Sequence, residues 1–272
     1  MRYPPHVSFT QEEEERGLQE LRRFGLPDKT PFICLIVRDG AYGKYAETFV
    51  SNTFRNSDIA NYSLAIAELV QRGYFVIRMG ATVRKPLSIA HKQVIDYAWN
   101  GLRSEFMDIY LAAKCHFCIA TGTGWDSLAS HVFRRPVVYT NFSHLTALIT
   151  FHDTFLSIMK KVVEISTGRE LRLKEIVDRE LSCSSITDYL EKSVVLVENT
   201  PEEIRDVVLE MVERLDGTWH ETEEDKQLQK CFWKLYPTNN GLHGKIYGRF
   251  GAQYLRDNKA WLADDTDGKV CE

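Results

Sequence analysis

The chain has 272 residues, a net charge of −4 and 44% hydrophobic residues. Such a composition suits a globular protein with one large α/β domain or two small ones, and the acidic balance excludes bulk electrostatic attraction to nucleic acid. No apolar run approaches the length needed to cross a bilayer, and the first residues lack the features of a signal peptide. We therefore expect a cytoplasmic protein, with peripheral attachment to the inner membrane face as the alternative.

The chain begins with an amphipathic helix. Thr10 and Glu13 have the spacing of a capping box, and Gln11–Phe24 continues with an acidic first turn and a basic last turn. These charges are more typical of a solvated docking helix than of a binding patch. Residues 1–31 are therefore predicted to form a helical arm and a linker.

The first predicted strand is Phe32–Arg38, a continuous apolar run of the parallel, buried type. It places Arg38 and Asp39 at the carboxyl edge of the sheet, where open α/β sheets bind ligands. Arg38 is either an ion-pair partner or a phosphate fork. We favour the fork, because a planar guanidinium matches phosphate geometry, and we assign Arg38 and Asp39 as the catalytic candidates.

Polar residues precede the next helix, Asn61–Arg72. Ser57 is either a helix cap or a ligand contact. Arg55 has no capping role, so we assign it, with Ser57, to a phosphate-binding set.

Tyr74–Met79 is the second predicted strand, and Gly80 ends it. Arg78 lies near the end of this strand, so we expect it to face the same cleft. Arg78 and Gly80 join the predicted phosphate-binding set.

Residues 115–141 predict a strand–loop–helix–strand unit. The strand His116–Thr121 leads into the loop Thr121, Gly122, Thr123 and Gly124, followed by the helix Trp125–Phe133 and the strand Val137–Thr140. Backbone N–H groups at the start of a helix favour an anion, and glycine permits close approach. This loop is either a phosphate cradle or only a tight turn; its four residues complete the predicted set.

Cys115 and Cys118 form a C-x-x-C pair on or beside this strand. No second pair follows, so core packing is favoured over zinc or redox chemistry, and we expect reduced thiols.

Beyond residue 141 the alternation is weak. Ser193–Val197 reads as another buried strand, Pro201 opens a helix, and two helical stretches close the chain at Glu221–Leu235 and Tyr247–Leu262. Residues 263–272 are predicted to be a flexible tail.

Together these elements predict an α/β fold, a Rossmann-like, mainly parallel sheet with helices on both faces. The loop at 121–124 and Arg38 should share one edge. The last helix should pack outside the sheet, and an exposed apolar patch there would mark a partner. The one apolar stripe of this helix includes Phe250, Tyr254, Trp261 and Leu262.

Four segments, taken in order, resemble a family of bacterial glycosyltransferases from surface-polysaccharide gene clusters. They are FICLIVRDGAY, FRNSDIANYSLAIAELVQRGYFVIRMG, DIYLAAKCHFCIATGTGWDSLASHVFRRPVVYTN and GRFGAQYLRDNKAWL. The resemblance extends from about Phe32 to Leu262, and its most specific parts are the Arg-Asp loop, the R-N-S-D-I segment and the R-M-G strand end.

Members of that family look like GT-B enzymes, which have two Rossmann-like halves. The resemblance implies that residues 32–262 correspond to the C-terminal, donor-binding half. Because only 31 residues precede this segment, the expectation is either a truncated or split enzyme, or an enzyme whose other half comes from a second subunit or an oligomer.

The implied substrates are a nucleotide sugar and a glycan or lipid-linked acceptor, with no metal cofactor and no nucleic acid. Two alternatives stay open: a sugar-nucleotide epimerase or hydrolase of GT-B-like fold, and a non-catalytic nucleotide-sugar-binding subunit.

Overall fold

The computed structural model describes residues 4–41, 50–182, 186–237 and 245–263. These residues form an α/β fold of the Rossmann-like type around a seven-stranded, all-parallel sheet. The strands of this sheet are β1 (Phe32–Ile36), β2 (Phe75–Met79), β3 (Val94–Ile95), β4 (Cys118–Ala120), β5 (Val137–Phe142), β6 (Phe155–Met159) and β9 (Arg249–Phe250). Their spatial order is β3-β2-β1-β4-β5-β6-β9. The predicted fold class is confirmed.

Strand β1 is an interior strand of the sheet, third in the order. All five of its residues are buried, which is why its sequence is a continuous apolar run. It pairs in parallel with β2 on one side and with β4 on the other. The chain therefore moves outward from β1 to β3, returns, and then builds the sheet in the opposite direction from β4.

Two further strands form a separate antiparallel pair, β7 (Lys161–Glu164) and β8 (Val194–Val197). The prediction that Ser193–Val197 belongs to the parallel sheet is therefore wrong. The physical reason is that β8 is not buried on both faces, since Val195 and Val197 are 46% and 44% exposed. The run of apolar residues in β8 looks the same in the sequence whether one face of the strand or both faces are buried.

Three helices begin at the capping signals that their sequences carry. Thr10, Thr200 and Thr222 each form a capping box with the acidic residue three positions later. The eight α-helices described are α1 (Gln11–Arg23), α2 (Ser63–Gln71), α3 (Glu105–Lys114), α4 (Leu173–Asp178), α5 (Ile186–Glu191), α6 (Pro201–Asp216), α7 (Glu223–Leu235) and α8 (Ala252–Asp257).

The C-terminal stretch differs from its prediction. In place of one helix over Tyr247–Leu262, the chain forms β9, then α8, then a 3₁₀ turn at Lys259–Leu262. The four apolar residues of the predicted stripe are all less than 7% exposed, so they form no exposed patch that would mark a partner. The rings of Phe250 and Trp261 pack against Phe232 of α7, and their centroids lie 4.3 and 5.9 Å from its own. The predicted tail beyond residue 263 lies outside the described residues.

Contacts between Cα atoms divide the chain into two compact units. The first comprises residues 1–47 and 56–138, and the second comprises residues 48–55 and 139–272. The boundary falls within β5. Among the described residues, no helix is both long enough and apolar enough to cross a membrane.

Cys34, Cys115, Cys118 and Cys231 are free thiols, and all four are buried. Burial raises the pKa of the Cys118 thiol well above its ordinary value. The C-x-x-C pair is therefore part of the core, as the sequence predicted, and the Cys118 thiol is a poor nucleophile.

Candidate functional site

The first unit places two loops side by side at the carboxyl edge of the sheet. Ile36 of β1 is paired with Ala120 of β4, so the residues that follow both strands emerge together. The backbone N–H of Arg38 donates a hydrogen bond to Oγ1 of Thr121 over 3.0 Å. The prediction that Arg38 and the loop at 121–124 share one edge is confirmed.

This point is also where the strand order reverses. From β1 the chain continues to β2 on one side and later starts again at β4 on the other. Loops that follow such strands diverge and leave a crevice, which is where open α/β sheets bind their ligands. The crevice between the ends of β1 and β4 is therefore the candidate site.

Hydrogen bonds fix the backbone and Nε of Arg38. Its carbonyl accepts a hydrogen bond from the Ser57 backbone N–H over 2.8 Å, and its Nε donates to Oδ1 of Asn56 over 3.3 Å. Within the described parts of the chain, no hydrogen bond or ion pair involves its two terminal Nη atoms. A half-buried guanidinium in this state can present its fork to an anion.

Ser57 adds a second polar group that lacks a partner. The side chain is 5% exposed, and its hydroxyl Oγ is buried without a hydrogen bond among the described residues. A buried hydroxyl without a bond is costly in a native protein, and an oxygen of a bound ligand would satisfy it.

Gly40, in the same loop as Arg38, packs closely against the side chains of Asn56 and Arg84. Gly40 has a φ of +75°, and a Cβ there would lie 2.6 Å from Nδ2 of Asn56 and 3.2 Å from Nη2 of Arg84. Only glycine suits this position. The exposed Arg84 thus brings a second guanidinium close to the Arg-Asp loop, and the sequence reading missed it. The available signal was its position just after the carboxyl end of β2.

Asp39 ties this loop to the next one. Its Oδ1 accepts the backbone N–H of Ala41 over 3.0 Å, and its Oδ2 accepts that of Arg84 over 2.7 Å. Both oxygens are therefore occupied by backbone donors. The carboxylate fixes the shape of the loop pair and is poorly placed to accept a substrate proton.

Arg78 lies beneath these loops. It is 1% exposed, and its Nη1 donates to the carbonyl of Lys85 over 2.7 Å and lies 3.4 Å from Oδ2 of Asp96. Its Nη2 lies 3.8 Å from Oδ2 of Asp39. The structure thus places Arg78 within the first unit as a buried ion-pair centre under the predicted site.

Gly80 follows β2 directly, and a Cβ there would lie 2.9 Å from Cγ1 of Val83. The glycine therefore permits the close turn that leads to Arg84.

The loop after β4 is partly closed by its own side chains. Gly122 has a φ of +74°, which favours glycine. The N–H and the hydroxyl of Thr123 both donate to Oδ1 of Asp126, over 2.6 and 2.8 Å. This internal carboxylate, which the sequence reading missed, removes the Thr123 N–H from the donors expected for phosphate. Around Gly124 the space is open, since a Cβ there would have no neighbour within 4 Å among the residues that the structure describes.

The helix after this loop also differs from its prediction. A single turn leads into a π-helix at Leu128–Val132 instead of an α-helix over Trp125–Phe133. The hydroxyl of Ser130 donates to the carbonyl of Asp126, four residues earlier, and so competes with the α-helical bond to that carbonyl. A π-turn is common at functional sites.

Arg55 belongs to the second unit, unlike the other predicted site residues. It ends a 3₁₀ turn at Val50–Arg55 and lies near His144. Burial lowers the pKa of His144, and the charge of Arg55 lowers it further. The ring of Phe54 packs edge-on against His144 at 5.3 Å between centroids. His144 follows the carboxyl end of β5, and sequence reasoning did not single it out.

No group of three or more His, Cys, Asp or Glu residues that could hold a metal ion occurs in the part of the chain that the structure describes.

The fold is that of a Rossmann-like α/β protein, and polar side chains, Arg38 and Ser57 among them, lie together at the switch point of its sheet. Comparison with known protein families, with curated proteins and with solved structures gave no match. The functional argument therefore depends on the residues of the site.

Proposed function

We propose that the chain is a metal-independent glycosyltransferase, or the donor-binding half of one, which binds a nucleotide sugar by its diphosphate. The observation that carries this proposal is the guanidinium tip of Arg38, whose Nη atoms have no partner among the described residues. This tip lies at the switch point between β1 and β4, where ligands of such folds bind. The resemblance of the surrounding segments to polysaccharide glycosyltransferases supports the sugar-nucleotide class.

The chemistry requires a stabilised leaving group. When the bond between the sugar and the diphosphate breaks, negative charge develops on the diphosphate. Arg38 offers two N–H groups in one plane, which fit two phosphate oxygens, and Arg84 adds a second cation close to the same loop. The buried hydroxyl of Ser57 can donate to a third oxygen. These groups would bind most strongly when the charge is greatest, which accelerates the reaction.

Asp39 and Arg78 have a supporting role in this proposal. Asp39 accepts two backbone N–H groups and so holds the Arg-Asp loop to the loop at Arg84. Arg78 holds Asp39 and Asp96 from beneath. The catalytic assignment of Arg38 is kept, and Asp39 becomes a positioning residue. The cradle at 121–124 contributes open space at Gly124 for the approach of the ligand.

A panel of UDP, GDP, CMP and TDP sugars tests the proposal. We expect one sugar nucleotide to raise the melting temperature in a concentration-dependent manner, because a ligand of the native state stabilises it by mass action. The same sugar nucleotide should then lose its sugar to an acceptor glycan in a turnover assay without divalent cations.

Product analysis separates the remaining classes. Free nucleotide without an acceptor would indicate a hydrolase, and an epimerised donor would indicate an epimerase. Binding without turnover, with or without an acceptor, would indicate a non-catalytic subunit. Absence of stabilisation by all four classes of sugar nucleotide would contradict the proposal.

A further inference from the structure

The second unit contains a groove that has no part in the proposed site. It has a volume of about 680 Å³, within the range typical of small-molecule sites. One wall is the outward face of α7 with Lys230, Trp233 and Lys234, and the other wall is the stretch that contains Tyr247 and Arg249.

Each wall of the groove is fixed by packing on the side that faces away from the groove. Lys226, Lys230 and Lys234 recur every four residues, so they lie on one face of α7, while Phe232 is fully buried on the other. On the opposite wall the backbone N–H groups of Tyr247 and Gly248 both donate to the carbonyl of Thr150. A Cβ at Gly248 would lie 2.9 Å from the carbonyl oxygen of Ile149, so the stretch is closely packed from below.

The groove is positively charged, although the whole chain carries −4. Its lining includes Lys226, Lys230, Lys234 and Arg249 against one carboxylate, that of Glu221. Lys226 is paired with Glu223 at 2.6 Å, and Arg249 is paired with Glu221. Among the residues that the structure describes, Lys230 and Lys234 have no hydrogen bond or ion pair, and Nε of Arg249 is buried without a hydrogen bond.

Two aromatic rings complete the lining. Trp233 is half-buried and fixed by Phe232 and Tyr236, whose ring centroids lie 4.7 and 5.1 Å from its own. Tyr247 is 47% exposed, and Nζ of Lys245 lies 5.0 Å from its ring centroid. An exposed tyrosine beside Lys245, in a groove that Lys230 and Lys234 also line, offers a flat apolar surface next to positive charge. Such a pair of surfaces suits a ligand that has a ring and an anionic group.

We propose that this groove binds a phosphate ester of a ring compound, a sugar phosphate or a nucleoside phosphate. The phosphate lies between Lys230 and Lys234, and the ring of the ligand lies against Tyr247 and Trp233. The site is independent of Arg38 and of the proposed transferase activity.

Calorimetric titration of the full chain with glucose 1-phosphate, uridine 5′-monophosphate and inorganic phosphate tests this assignment. We expect one of the two esters to bind at least fivefold more tightly than inorganic phosphate, because only the ester reaches the rings. The ester that binds more tightly shows whether the natural ligand is a sugar phosphate or a nucleoside phosphate.

Three variants assign the binding to the groove. Lys230→Gln combined with Lys234→Gln should weaken binding of the ester about tenfold. Tyr247→Ser should weaken the ester about fivefold and leave inorganic phosphate unchanged. A charge-matched control, Lys92→Gln combined with Lys174→Gln, removes two exposed lysines elsewhere and should bind as the wild type does.

The same titration with Arg38→Ala distinguishes this site from the proposed donor site, since the ester should bind this variant with unchanged affinity. The assignment is overturned if neither ester binds, if the Lys230 and Lys234 variant binds as tightly as the control, or if Arg38→Ala abolishes binding of the ester.

Discussion

Substitution of Arg78 tests whether this arginine stabilises the fold, in contrast to Arg38, which we assign to the ligand. In Arg78→Met the side chain keeps its length, but the bond to the Lys85 carbonyl and the cation between Asp39 and Asp96 are lost. Removal of one partner of a buried ion pair costs about 3–5 kcal/mol. The two carboxylates are 16% and 18% exposed, and the ion-pair distances are 3.8 and 3.4 Å, which favours the lower end of this range. We therefore expect a loss of about 3 kcal/mol in the free energy of unfolding.

The matched control for this experiment is Arg38→Met. This variant loses only the 3.3 Å hydrogen bond from Nε to Asn56, because the terminal Nη atoms of Arg38 have no partner among the described residues. It should therefore lose no more than about 1 kcal/mol of stability. Urea unfolding followed by circular dichroism gives both values by linear extrapolation. Arg78→Lys should recover only part of the loss, since an ammonium cannot reach three partners at once. An unchanged Arg78→Met, or an equally unstable Arg38→Met, would refute the reasoning.

Two further changes test the loop geometry and the pH dependence. Gly40→Ala should lower the free energy of unfolding by more than about 1 kcal/mol and weaken nucleotide-sugar binding. The control Gly25→Ala has a similar φ of +86° and no described neighbour within 4 Å, so it should lose only about 1 kcal/mol and bind normally. Equal binding by both variants would contradict the role of the loop. Hydrogen bonds from Arg169 are the main reason why the pKa of Glu175 falls from 4.5 to about 2. Its contribution to stability is therefore present above pH 4.5 and is lost as the pH falls toward 2. Glu175→Gln should be less stable than the wild type by about 1–2 kcal/mol at pH 7, after allowance for solvent screening. Urea unfolding at several pH values should show that this difference shrinks steadily below pH 4.5. A difference that stays constant with pH would contradict the pairing of Glu175 with Arg169.

The central strands could be predicted because burial on both faces requires a continuous apolar run, as in Phe32–Ile36. The shared edge of Arg38 and the loop at 121–124 followed from the parallel pairing of their strands. Strand β6 was not predicted, because Phe155–Met159 lies in a stretch without alternation and depends on pairing with distant strands.

Other features of the site depend on contacts that sequence spacing does not encode. Asp126 lies three residues after Thr123, but only the folded loop shows that its carboxylate takes the Thr123 N–H. The closeness of Arg84 to Gly40 depends on the turn after β2. Arg78 was assigned to the cleft because strand periodicity does not show how deeply a strand end is covered, and the structure places it at 1% exposure.

Calorimetric titration of a nucleotide sugar into the wild type, Arg38→Ala, Arg38→Lys and Arg72→Ala tests the central proposal most directly. Loss of a charged hydrogen-bond partner of a phosphate costs about 1.5–3 kcal/mol, so Arg38→Ala should bind roughly tenfold to a hundredfold more weakly while it stays folded. Arg38→Lys should recover little, because it lacks the planar fork. Arg72→Ala, which removes an exposed arginine elsewhere, should bind as the wild type does. Wild-type affinity in Arg38→Ala would contradict the assignment of Arg38 to the diphosphate.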